Sequence, residues 1–109
     1  DKTMSVYKLT YVTDSGIHGK GLFARKDIEE GAYLGEYEGP VAKRNGSHVL
    51  WVYDDEGVVG RSGRNKLRYL NHSNDSSAEF DGFELYATRK IKTGEEITIN
   101  YGDDWDDIE

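Results

Sequence analysis

The sequence predicts a mainly β protein folded as one domain over residues 1–109. Two observations point there. Short runs of high β propensity recur along the chain, each bounded by Gly, Asn or Asp, and a composition of 8 Tyr and 13 Gly against 1 Pro suits a tyrosine-rich β domain with many turns. Hydrophobic residues at 36% beside charged residues at 32% separate the chain from a disordered tail. With 109 residues it is long enough for one core and too short for two, so any ligand is bound by that core and its rim.

Taken in order, the strand-like runs are "VYKLTYV" with Val6, Leu9, Tyr11 and Val12, then "LFARK", "AYLGEYEG", "HVLWVYD", "FELYATRK" and "EITINY". Only "GRNKLRYLN" reads as a turn or two of helix. Turn signals separate the runs at Asp14-Ser15-Gly16, Glu30-Gly31, Asn45-Gly46, Asp81-Gly82 and Thr93-Gly94. Asn45-Gly46 is the strongest hairpin candidate, because both residues tolerate positive φ. There is no internal repeat, low-complexity tract or linker, and the acidic end "DDWDDIE" is expected to fray.

Charge and composition exclude several functions. A formal net charge of -7 argues against general nucleic-acid binding, which needs a surplus of Lys and Arg; a basic peptide or a cationic small molecule is the better match. The absence of Cys removes disulfides and thiolate metal sites, and His18, His48 and His72 are not paired at ligand spacing, so no metal is expected. No apolar stretch approaches the roughly 20 residues that cross a bilayer. A soluble, intracellular protein is the expectation.

Single motifs say little. The glycines of "GIHGKGLFA" let a backbone approach a ligand closely, yet they lead into another strand-like run and not into the long helix of a dinucleotide fingerprint. Asn71-His72-Ser73 reads alone as a capped turn or a chance glycosylation sequon. Tyr101 reads alone as a strand-end packing residue with a wet hydroxyl.

In combination, "GIHGKGLFARKDIEEG", "GEYEGP", "RYLNHS" and "GEEITINYGDDW", in this order and at these separations, resemble the SET-domain family of protein lysine methyltransferases over about Val6 to Trp105. In size the chain is closest to minimal viral and bacterial members. The resemblance implies a β-clip fold of small curved sheets in which the C-terminal segment threads under a preceding loop as a pseudoknot, with "RYLNHS" and "INYGDD" crossing. It implies S-adenosylmethionine as methyl donor, held by His18, Gly19 and Lys20 on one side and by Asn71 and His72 on the other, with Trp105 over the adenine. It implies Tyr101 as the catalytic tyrosine and Tyr37 and Phe80 as lining of the lysine channel. Departures stand beside it: "NHSNDSS" lacks the family's usual cysteine and proline, His48 stands near where several members place a cofactor-contacting tyrosine, and Ile99 occupies the position that influences product multiplicity.

The activity so implied is methyl transfer to a lysine of a basic, histone-like or ribosomal-type protein. A catalytically silent SET-like module that binds a peptide, and a structural β-clip domain without cofactor, are the alternatives. The resemblance also allows a homodimer, since some minimal members complete their substrate groove that way.

Overall fold

In the computed structural model, which describes residues 8–44 and 48–100, the first predicted strand becomes β1 (Thr10–Asp14) and pairs antiparallel with β2 (Lys20–Ala24), Thr10 opposite Ala24 and Asp14 opposite Lys20. The two-residue period of a strand sorts the side chains. Thr10, Leu22 and Ala24 are wholly buried on one face, while Tyr11 and Phe23 stack on the other with ring centroids 5.8 Å apart. The far side of β2 takes β10 (Glu96–Ile99), with Ile97 opposite Leu22. Beyond β10 lies β7 (Asn71–His72), parallel to it, with Thr98 opposite Asn71 and Ile99 opposite His72. This sheet therefore runs β1-β2-β10-β7, and it sets "RYLNHS" beside the end of β10 at Ile99, where "INYGDD" begins; Tyr101 to Asp104 of that segment lie outside the described residues.

A second sheet runs β3-β9-β8 (Tyr33–Glu36, Glu84–Ala87, Ala78–Asp81). Its β8–β9 hairpin turns between Asp81 and Glu84 with Gly82 at φ +65°, on the turn signal at Asp81-Gly82. The third sheet runs β4-β6-β5 (Val41–Ala42, Gly57–Ser62, Val49–Asp54). Its hairpin closes from Asp54 to Gly57 across Asp55-Glu56; Asn45-Gly46, the predicted hairpin turn, lies outside the described residues. The strand β6 escapes the propensity reading because "GVVGRS" carries two glycines. One of them is demanded by its partner across the ladder: a Cβ on Gly60 would come within 2.5 Å of the Trp51 ring, which covers the gap.

The expected helical turn is a 3₁₀ segment, Lys66–Tyr69, that buries Leu67. One core joins all three sheets, with Leu22, Leu34, Leu67, Leu85, Ile91 and Ile97 wholly buried. Ile28 and Ile91 exchange both backbone hydrogen bonds at 2.8 Å and fasten the exit of β2 to the approach to β10. Among the described residues no helix is long and apolar enough to cross a membrane, and no three His, Cys, Asp or Glu side chains are grouped to hold a metal ion.

Tyr37 is wholly buried, and its hydroxyl donates to the His48 carbonyl, which also accepts the Gly63 N–H at 2.9 Å. A Cβ on Gly63 would lie 2.6 Å from Tyr37 Cζ. Gly63→Ala is therefore expected to cost about 1–3 kcal/mol through overpacking, seen as a lower urea midpoint at unchanged slope. Gly16→Ala, with nothing within 4 Å of the new carbon, is the control and should stay within about 0.5 kcal/mol of the parent.

Candidate functional site

The turn between β1 and β2 is closed by the Ser15 N–H donating to the Gly19 carbonyl at 2.7 Å, while Ser15 Oγ accepts the Ile17 N–H at 2.9 Å. Gly19 sits at φ +48° with open space where a side chain would stand. A left-handed, uncovered position favours glycine and leaves backbone accessible to a ligand. His18, Gly19 and Lys20 are all exposed. Against this turn stands Asn71, only 8% exposed. Its Nδ2 lies 3.2 Å from the His18 carbonyl, 3.1 Å from the Lys20 carbonyl, 3.1 Å from Ser15 Oγ and 2.9 Å from Glu96 Oε2. Residues more than 50 positions apart in the chain thus form one wall. Strand alternation sends the next side chain outward: His72 is exposed, with Nε2 3.2 Å from Asn74 Oδ1. Tyr101 and Trp105 lie outside the described residues.

A cleft of about 140 Å³ opens along β5 and β8, lined by Leu50, Trp51, Val52, Tyr53, Phe80 and Gly82. Phe80, expected to line the channel, is among them. Tyr37 is not: its ring stands edge-on to Phe80, centroids 5.6 Å apart at 85°, as a core residue that supports Phe80. The aliphatic and aromatic lining from β5 was not read from the sequence as part of a site; "HVLWVYD" signals a strand but not which face meets a ligand. Nor does the sequence mark Ser15 or Glu96 as part of a site. Glu96 shows itself only across the sheet, where a Cβ on Gly21 of the neighbouring strand would meet its carboxylate.

Comparison with known proteins gives a consistent picture. The SET domain family model matches residues 19–102. The chain is 30% identical to histone-lysine N-methyltransferase trithorax of Drosophila virilis over 80% of its own length and 3% of that protein. It is 29% identical to histone-lysine N-methyltransferase EZH2 of Chaetomium thermophilum over 83% of its length and 8% of that protein. Among solved structures, ctPRC2 in an autoinhibited conformation bound to S-adenosylmethionine superposes with a TM-score of 0.78 at 27% identity, covering 91% of this chain and 16% of that one. The chain thus spans a small part of these relatives.

His48, just before β5, is half-buried and in left-handed backbone at φ +67°. Burial holds its imidazole below the usual value, and the Arg68 guanidinium adds to the effect. A lowered folded value means that the unfolded chain binds more protons, so this contribution to stability is present above the unfolded value of about 6.5 and is lost as pH falls through the folded one. Melting temperature is expected to drop between pH 8 and pH 5. His48→Asn, which tolerates left-handed backbone, should flatten that slope; an unchanged slope would sink the assignment. Asp27, held low chiefly by the Thr93 backbone N–H, acts only at more acidic pH.

Proposed function

The chain belongs to the SET-domain family, and from that premise we propose that it transfers a methyl group from S-adenosylmethionine to a lysine side chain of a basic, histone-like protein. The observation that carries this reading is the meeting of the exposed His18–Lys20 backbone with the Asn71 amide at one wall. That wall suits the cofactor: it pairs an open, left-handed glycine with an anchored amide whose Oδ1 has no protein donor among the described residues. His18, Gly19, Lys20, Asn71 and His72 are the residues proposed to hold it, His72 through its backbone, with Trp105 over its adenine. When bound, S-adenosylmethionine supplies an electrophilic methyl group on a sulfonium.

The protein's own task is to present a neutral amine in line. A free lysine has a pKa near about 10.4, so its proton must leave first. Close packing of the substrate lysine against Phe80, whose ring Tyr37 backs, would strip water from the ammonium and lower that value without a dedicated base. Tyr101 would orient the amine through its hydroxyl oxygen, and fixed alignment of reacting groups is worth on the order of 7 to 11 kcal/mol. Asp54, Asp55, Glu56 and the acidic segment from Asp103 to Asp107 would draw a Lys/Arg-rich segment toward the cleft.

The reading is tested by mass spectrometry of products after incubating the protein and S-adenosylmethionine with histones and with whole-cell lysate; absence of any methylated lysine in both would refute it. Tyr101→Phe is expected to keep the fold and cofactor affinity while losing most of the transfer, and undiminished turnover would remove Tyr101 from its role. Raising ionic strength should increase KM for a basic peptide steeply, because screening shortens the reach of the acidic field. A flat response would assign those carboxylates to solubility alone.

A further inference from the structure

Glu96 lies on β10 opposite Phe23, and its half-buried carboxylate reaches the place where a side chain on Gly21 would stand. Ser15 Oγ approaches both of its oxygens, at 2.8 and 2.9 Å, and Asn71 Nδ2 approaches Oε2 at 2.9 Å. Four oxygens therefore surround an amide nitrogen that has two hydrogens. The reversed amide would set Oδ1 against the same oxygens, acceptor facing acceptor, so the surroundings permit one orientation. Of the four, only Glu96 is ionisable, and a hydrogen bond to a charged acceptor is the strongest of the set.

We propose that Glu96 is a positioning residue: it pins the Asn71 amide with Nδ2 inward, so that Oδ1 is presented as an acceptor for a cationic group of the ligand, and through Ser15 it fixes the glycine-rich turn at the same time. This rests on the reading that the wall holds S-adenosylmethionine, whose amino-acid end carries an ammonium. Gly21 belongs to the device, because any larger residue there displaces the carboxylate.

The test combines amide exchange with calorimetry. In ¹⁵N-labelled protein without cofactor, the Asn71 side-chain amide, assigned by its loss in Asn71→Ala, should exchange slowly; Glu96→Ala should speed this at least about tenfold, and Glu96→Gln, which keeps one carbonyl oxygen, should fall between. Calorimetric affinity for S-adenosylmethionine should weaken about tenfold or more in Glu96→Ala and in Gly21→Ala. Glu96→Ala added to Asn71→Ala should cost clearly less than the sum of the two single losses, the remainder being the turn that Glu96 holds through Ser15. Parental exchange at Asn71 in Glu96→Ala, or additive losses in the double variant, would overturn the proposal. Should Glu96→Ala fail to fold, the parent-to-Gln difference decides: slower exchange in the parent supports the pin, and identical exchange overturns it. A protected Asn71 amide lost on mutation, in a protein that gives no heat with S-adenosylmethionine, supports the pin and counts against the functional reading alone.

Discussion

Everything at the wall depends on a two-residue parallel ladder, Thr98 with Asn71 and Ile99 with His72. So short a ladder is weak by itself, and neighbouring hydrogen bonds extend it. The Ser73 N–H donates to the Ile99 carbonyl at 2.9 Å, and the Ser77 N–H donates to the Thr98 carbonyl at 3.1 Å. Ser77, wholly buried, also accepts the Thr98 N–H on its hydroxyl at 3.1 Å, so a side chain does the work of a further strand. With β10 held in this way, its other edge is free to pair with β2. That double pairing carries Glu96 to Gly21 and Asn71 to the turn at Gly19.

The same economy governs the whole fold. Each sheet has three or four short strands and too little apolar face to stand alone, so the sheets are stable only against one another. Tyr37 illustrates the coupling. It follows β3, presents its ring to Phe80 of β8, and gives its hydroxyl to His48 just before β5. One buried side chain thus braces a cleft residue from behind and ties down the segment entering β5. Arg61 of β6 adds a second tie, with a 2.7 Å ion pair to Glu36 and its guanidinium 4.0 Å above the Phe83 ring; half-buried, the pair is worth more than one in open solvent but is bounded by its remaining exposure.

Much of the architecture was legible because strand periodicity and turn chemistry are local. The runs around Tyr11, Leu22, Leu34, Leu50, Leu85 and Ile97 became strands, and Asp81-Gly82 became a turn. Strands β6 and β8 were not legible, since Gly60 makes sense only once Trp51 is seen across the ladder, and "AEFD" offers one large apolar residue. For the site, resemblance placed the His18–Lys20 turn and Asn71 on opposite sides of a cofactor, whereas the structure brings them within hydrogen-bonding distance at one wall. It did not distinguish the inward Asn71 from the outward His72, a matter of strand phase, nor the buried Tyr37 from the cleft-facing Phe80. Glu96 was hidden for the plainest reason: its partners Ser15 and Gly21 are distant in sequence, and no local pattern announces them.

The span from Ser15 to Glu96 is 81 positions, and it bears on how the molecule comes into being. During synthesis the glycine-rich turn emerges early, yet it has no Asn71 and no carboxylate to meet until β10 has left the ribosome. No contiguous fragment of the described chain that stops before β10 holds a complete wall. The complete wall and the closing of the fold therefore arrive together, and any ligand bound at the wall would stabilise the domain as a whole by mass action.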